Sequence, residues 1–498
     1  MNIASYLERH AIREPDRAAI RFEGLPVTFA ELNRDATRLA DSLRQLGVGA
    51  GDRIALYLPN IPQFIACYFA IQKLGAIAVS INPMFKTDEV RYLLDDSGAI
   101  AVFATAALAS NVPADCPHLR LRIVADEGKV DGYWLSLGRL YAQGSAHFKT
   151  VERGPDDPAA LLYSSGTTGF PKGVVLTQRN IHSNIAMAAS CSDFRPHDRI
   201  AAFLPLFHAY GQNYIMNASI LAGATLVLFV RYVPEEVLSA IGSERITHLF
   251  AVPAIFIALL SADLSPYDLS SLRYEMSAAA TLPEEISRRW TERFGRRVYE
   301  GYGLTECSPC ACYNDFHEHR FGSIGRALPG IEVRVVGEGD TEEPYGAKGE
   351  IIIRGDNVML GYWNKPEDTA HTLRGGWLHS GDIGSMDEQG YLYISDRLKD
   401  MINVSGFKVW PAEVEGCLYK LPGIREVAIY GLPDSKKGEQ VVAAVVPAES
   451  GTVTADGIVA YCREHMAAYK VPTRVDIVES LPRSPTGKLL KRVLRERG

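Results

Sequence analysis

No stretch of this chain stays apolar long enough to read as a membrane span. The longest one worth testing, residues 214–230, is broken by Asn217, Ser219, Gly223 and Thr225. It is also short for crossing a bilayer, and it reads as a buried helix, a turn and a strand. An excess of positive charge is missing too: 52 Lys and Arg face 59 Asp and Glu, a net charge of −7. A general nucleic-acid binder needs a basic face, so that class is set aside. A local basic pocket for phosphate stays open. Residues 1–9 lack a basic segment followed by an apolar run, so no secretory leader is expected. Cysteines are few and scattered, 8 in 498 residues. A chain of this size builds cores without disulfides, and a reducing cytoplasm is the expected setting. Cys307, Cys310 and Cys312, with His317 and His319 after them, form one bunch. Structural zinc sites use two separated ligand pairs, so buried or loop thiols are the better reading. Low-complexity tracts and internal repeats are absent.

Hydrophobic residues make up 47% and charged residues 22%, the balance of a soluble globular enzyme. The length calls for two or more domains. Residues 1–150 alternate helical and strand patterns. A helix opens at Thr28 and continues through Leu39, Leu43 and Leu46; residues 53–58 read as a strand, 62–74 as a buried helix and 76–81 as the next strand. Such alternation predicts an α/β fold with largely parallel sheets. After about residue 320, short glycine-punctuated strands at 331–336, 349–354 and 391–395 suggest a β-rich subdomain. From about residue 400 a last unit begins, with a helix at 411–418 and strands at 427–430 and 441–446.

The most informative stretch is Leu162-Tyr163-Ser164-Ser165-Gly166-Thr167-Thr168-Gly169-Phe170-Pro171-Lys172-Gly173, entered by an apolar strand at 159–162. Glycines let the backbone approach an anion with its N–H groups inward. Hydroxyls donate to phosphate oxygens or ligate Mg²⁺, and the lysine adds a mobile positive charge. This composition suits a polyphosphate. It is not a Walker A loop, because Pro171, Lys172 and Gly173 stand where Gly-Lys-Ser/Thr is required.

At this loop the sequence resembles the adenylate-forming superfamily of acyl-CoA synthetases, luciferases and peptide-synthetase adenylation domains. Further motifs follow in the family's order: Tyr302-Gly303-Leu304-Thr305-Glu306, Gly376-Trp377-Leu378-His379-Ser380-Gly381-Asp382, Asp396-Arg397-Leu398-Lys399-Asp400 and Pro485-Thr486-Gly487-Lys488. The resemblance covers nearly the whole chain. It implies a large N-terminal domain, residues 1–398, of two α/β sheets plus a β-rich part. A small mobile α+β domain, residues 399–498, would follow a hinge at Lys399.

The resemblance also assigns roles. Ser164, Ser165, Gly166, Thr167, Thr168, Gly169 and Lys172 would hold the ATP phosphates. Glu306, with Ser165, would hold Mg²⁺, and Thr305 would contact the α-phosphate. Asp382 would accept both ribose hydroxyls, its two oxygens matching two donors, and Arg397 would add a hydrogen bond. Tyr302 and Gly303 would line the adenine site together with Ala278, Ala279 and Ala280, a segment where many members carry glycine. Lys488 would reach the carboxylate and the α-phosphate together. After pyrophosphate leaves, rotation at Lys399 would admit a thiol past Gly406, whose missing side chain would leave room for the pantetheine arm of coenzyme A.

His208, Ala209, Tyr210 and Gly211 would form one wall of the acyl pocket, with His208 gating it between steps. Amino-acid-activating relatives carry Asp where His208 stands, and residues 203–230 contain no Lys or Arg for a second carboxylate. An uncharged acid is therefore expected, a medium- or long-chain fatty acid first and an aryl acid second. Coenzyme A is the expected acceptor and an acyl carrier protein the alternative. Residues 326–397 show no extra segment of the kind that blocks coenzyme A in fatty acyl-AMP ligases.

Overall fold

The computed structural model describes residues 2–130, 132–164, 171–397, 400–434, 437–449, 453–484 and 487–497. Two large sheets dominate the N-terminal part. In one, parallel strands run in the spatial order Ala18–Phe22, Thr225–Leu228, Arg199–Ala202, His248–Ala251, Tyr274–Ser277 and Val298–Tyr302, with antiparallel strands at both edges. In the other the order is Leu121–Val124, Ala101–Ala104, Arg53–Tyr57, Ile77–Ser80 and Pro158–Ser164. That run is closed by antiparallel Lys172–Thr177 and the short Gly361–Tyr362. Strands such as Ile77–Ser80 and His248–Ala251 are buried at every position, as parallel strands covered on both faces must be.

Local chemistry explains the helices. Phe29–Gln45 starts on a capping box, in which the Thr28 side chain accepts from the Glu31 N–H and Glu31 reaches back to the Thr28 N–H. Pro62–Lys73 has Pro at its first position, where a missing N–H costs nothing. Its residues from Phe64 to Ala70 share one apolar core with strands of both sheets. The span 214–230 contains the expected helix, turn and strand, but the helix starts earlier. A π-helix, Tyr210–Asn217, runs into Ala218–Ala222, Gly223 turns the chain at φ 75°, and Thr225–Leu228 follows. Other boundaries differ from the sequence reading by a few residues.

The β-rich part is an antiparallel sheet of Glu332–Val336, Gly349–Arg354, Leu378–Met386 and Leu392–Arg397. The small C-terminal domain is built on the hairpin Ile424–Asp434 and Gly438–Pro447, longer than the sequence pattern indicated. The helices Pro411–Leu418 and Ala455–His465 belong to it. Leu398 and Lys399, where the domain boundary was expected, lie outside the described residues. The flanking strands belong to different sheets: Leu392–Arg397 to the β-rich one and Ile402–Val404 to the C-terminal one.

Among the polar groups buried in the core, one carboxyl has a charge-dependent consequence. Glu300, on Val298–Tyr302, is 3% exposed. Its Oε1 has no hydrogen-bond partner among the described residues. Burial raises its pKa from 4.5 to about 8, only partly opposed by the Leu282 N–H. The folded protein therefore keeps this proton to about pH 8, whereas an unfolded chain releases it near 4.5. Stability from this group is full below pH 4.5 and is lost as pH rises through about 8. Glu300→Gln should remove that loss. Thermal melts of both proteins from pH 5 to 9 should show a variant-minus-wild-type difference that grows with pH and levels off above about 8. A pH-independent difference would show that Glu300 titrates normally.

Candidate active site

Parallel strands deliver the site residues at their C-terminal ends, where α/β sheets place ligands. Ser164 ends one strand of the second sheet. Thr305 and Glu306 lie in a short 3₁₀ turn just after Val298–Tyr302 in the first. That turn requires Gly303, because a Cβ there would lie 1.8 Å from the Pro309 carbonyl oxygen. The Glu306 carbonyl is held by the Met359 N–H at 2.8 Å. Its carboxylate is nearly buried, and Oε1 accepts from Ser164 Oγ at 2.9 Å and Tyr362 Oη at 3.0 Å. No hydrogen bond to Oε2 is formed among the described residues. A hard anionic oxygen left in this way suits Mg²⁺.

The loop residues Ser165, Gly166, Thr167, Thr168 and Gly169 lie outside the described residues. Lys172 is described, and it is not a freely mobile loop cation. It opens the strand Lys172–Thr177, its ammonium lies 2.5 Å from Asp368 Oδ1, and it sits over the Tyr362 ring at 5.2 Å from the centroid. An ammonium confined to 13% exposure needs such a counter-ion.

Asp382 comes from the β-rich sheet and is 4% exposed. Tyr302 Oη donates to its Oδ2 at 2.8 Å, and Arg397 Nε lies 3.1 Å from its Oδ1. Both oxygens thus already meet protein donors. Burial first, and then the Asp382 charge, raise the Tyr302 pKa, so its hydroxyl remains a donor. Arg397 pairs with Asp382 across adjacent strands of one sheet. Ala278 and Ala279 follow the strand Tyr274–Ser277, and Ala280 comes next. Ala279 has φ 69°, a left-handed conformation that glycine adopts without strain.

The expected acyl wall is fixed from behind. Asn60 holds its backbone through Nδ2 to the Leu204 carbonyl at 3.0 Å and Oδ1 from the Leu206 N–H at 2.9 Å. Gln212 Nε2 donates to Ser80 Oγ and to the Leu206 carbonyl. His208, Ala209 and Thr305 line a cavity of about 60 Å³ together with Ser80, Phe85 and Tyr163. His208 Nδ1 accepts from the Tyr210 N–H at 3.2 Å, which leaves the proton of a neutral ring on Nε2. Tyr210 is buried against Tyr214 and Phe250. Its hydroxyl has no hydrogen-bond partner among the described residues. Gly211 adds no depth on its own side. A Cβ there would lie 2.2 Å from the Pro205 carbonyl oxygen, so backbone fills the space.

Residues from the C-terminal domain reach this cleft. A Cβ on Gly487 would lie 2.7 Å from Val252 Cγ2, so the tail turn packs against the loop after His248–Ala251. Pro485 and Thr486 lie outside the described residues. Lys488 stands close enough for its charge to act on His208. Near the expected hinge, Asp396 accepts from the Ala412 N–H at 2.8 Å, Lys491 pairs with Glu415 at 2.9 Å and Arg495 with Asp400 at 3.0 Å. Gly406 is not at a crowded point: nothing lies within 4 Å of a Cβ built on it. Glycine is required there by φ 88° in the turn between Ile402–Val404 and Phe407–Val409.

Sequence reasoning missed Tyr362 and Asp368. Neither belongs to a phosphate-like motif, and nothing local connects Tyr362 to Glu306. The pairing of Gly361–Tyr362 with the strand that leaves the phosphate loop makes the connection.

Burial and, second, the Lys488 ammonium lower the His208 pKa to about 4. Lys488→Ala should therefore raise it, but keep it below the ordinary 6.5, because burial is the larger cause. Imidazole proton resonances followed against pH would show this. An unchanged His208 titration would mean that the Lys488 charge does not act on the ring in solution.

Comparisons with known proteins cover most of the chain. Residues 7–363 match the family model of the AMP-binding enzyme, and residues 413–488 match that of the AMP-binding enzyme C-terminal domain. A feruloyl-CoA synthase of Amycolatopsis sp is 37% identical over 99% of both chains. A long-chain-fatty-acid–CoA ligase of Mycobacterium tuberculosis is 38% identical over 94% of this chain and 93% of its own. A crystal structure of an anthranilate CoA ligase in complex with anthranoyl-AMP superposes with TM-score 0.93 at 29% identity, covering 100% of this chain and 97% of that one. With both family models matched in order over most of its length, the chain belongs to the AMP-binding enzyme family and is an AMP-forming acid–thiol ligase.

Proposed function

We propose that this enzyme activates an uncharged, largely hydrocarbon carboxylic acid with ATP and passes the acyl group to coenzyme A. One observation carries the reading. Asp382 bonded to Tyr302 and paired with Arg397, Glu306 bonded to Ser164, and Lys488 acting on His208 come from separate strands, a 3₁₀ turn, a loop and the C-terminal tail. The substrate carboxylate oxygen attacks the α-phosphorus, the bond to pyrophosphate breaks, and acyl-AMP forms. A thiolate sulfur then attacks the acyl carbonyl and AMP departs.

Two anions must meet in the first step, so charge neutralisation and alignment dominate. Lys488 neutralises both partners, while His208, kept neutral, adds no charge of its own. Asp382 and Arg397 hold the ribose, Tyr302 and residues 278–280 flank the adenine, and Thr305 meets the α-phosphate. Mg²⁺ bound with the nucleotide would screen the phosphates, and Glu306 with Ser165 would hold it. Rotation about residue 399 then removes Lys488 and admits the thiol. Coenzyme A is preferred to a carrier protein, since the curated relatives described above are named as coenzyme A ligases.

A medium- or long-chain fatty acid remains the first reading of the acid. Residues 210–217 are buried and carry no Lys or Arg. A second reading, an aryl acid, is favoured by the ring cluster of Tyr210, Tyr214 and Phe250 next to Ala209 and by the Tyr210 hydroxyl, which has no hydrogen-bond partner among the described residues. Specificity constants for saturated acids from acetate upward, beside benzoate and a cinnamate, separate the two. For a chain pocket they should climb roughly three- to fourfold per methylene until the pocket ends. A maximum at an aryl acid selects the second reading, and a maximum at acetate rejects both.

Lys488→Ala should slow adenylate formation by about 10²–10³-fold, as loss of a preorganised charge does. Thioester formation from supplied acyl-AMP should stay near wild type. Pyrophosphate release and single-turnover thioester assays measure the two steps, and equal loss in both would contradict two lid orientations.

A further inference from the structure

Resting on the reading of Glu306 as the magnesium carboxylate, we propose that Tyr362 is a positioning residue for that group. Its hydroxyl fixes Glu306 Oε1 and so leaves Oε2 as the cation ligand. A glutamate on a short turn has rotamer freedom, and one hydroxyl would not define its plane. Here two donors converge on one oxygen, Ser164 Oγ at 2.9 Å and Tyr362 Oη at 3.0 Å. They come from opposite flanks of the phosphate loop. Ser164 ends the strand that enters it, and Tyr362 is paired with Val174 on the strand that leaves it.

Tyr362 is itself well held. Its N–H donates to Thr369 Oγ1 at 2.9 Å, and the Lys172 ammonium, pinned by Asp368, covers its ring. Burial and the neighbouring Glu306 charge keep the phenol protonated, and hence a donor. A hydroxyl that served only to fill its own hydrogen-bonding needs would have no reason to share an oxygen with Ser164. A device for orienting the carboxylate does.

The test uses the full-length enzyme with Tyr362→Phe, Glu306→Gln and the double variant. Phenylalanine keeps the ring and its contact with Lys172. Two readouts are taken: Mn²⁺ affinity of the enzyme–ATP complex by electron paramagnetic resonance, and the Mg²⁺ dependence of pyrophosphate exchange. Tyr362→Phe should weaken Mn²⁺ binding about tenfold, the scale of one lost hydrogen bond to a charged group. It should raise the Mg²⁺ requirement in parallel and leave the KM for the acid unchanged. In the Glu306→Gln background it should have no further effect. Wild-type Mn²⁺ affinity in Tyr362→Phe, or penalties that add in the double variant, would overturn the proposal while Glu306 stands. Wild-type affinity in Glu306→Gln would overturn the Glu306 reading and this one with it.

Discussion

A carboxylate can be held in a nearly closed cleft only if donors or a cation satisfy its charge. This cleft holds two, Glu306 and Asp382, at 8% and 4% exposure. Much of the surrounding architecture answers that constraint. Asp382 takes a phenol on one oxygen and a guanidinium on the other. Glu306 takes two hydroxyls on one oxygen. Each carboxylate is therefore oriented before any ligand arrives, which is the form of preorganisation that charge-dominated chemistry needs.

The donors come from far apart in the chain because the sheets meet at this place. The strand Val298–Tyr302 supplies Tyr302 and leads to Glu306; Pro158–Ser164 supplies Ser164; Gly361–Tyr362 joins that sheet by pairing with Lys172–Thr177. The β-rich sheet presents Asp382 and Arg397 from adjacent strands. A neutral His208 completes the electrostatics. Its ring lies beside Lys488, and burial keeps it from adding a second positive charge.

Backbone sterics account for several small residues around the site. Gly211 is a point where the Pro205 carbonyl presses in, 2.2 Å from where a Cβ would lie. Gly406 takes a left-handed turn at φ 88°, with nothing within 4 Å of a Cβ built on it. Gly303 is required by the Pro309 carbonyl, and Ala279 takes a conformation in which glycine would be unstrained. Each case concerns what another segment does near the residue.

Some features were legible because they are local. Alternating strand and helix patterns specified an α/β chain, since burial on both faces demands apolar runs and helices demand their own period. The glycines, hydroxyls and lysine of the phosphate loop specified a polyphosphate ligand, and the resemblance carried by five motifs in order implied adenylate chemistry. Other features were illegible because they depend on which strands are neighbours. Tyr362 touches Glu306, 56 residues away, only because a two-residue strand pairs beside the phosphate loop. Lys172 is pinned by Asp368, 196 residues on, by the same pairing. The sequence by itself determined which chemical groups are present and the fold class that carries them. The tertiary structure decided which oxygen each donor reaches, which glycine spaces are already filled and which charges stay neutral. Those depend on distances of a few ångströms between segments, and such distances are set by packing rather than by local preference.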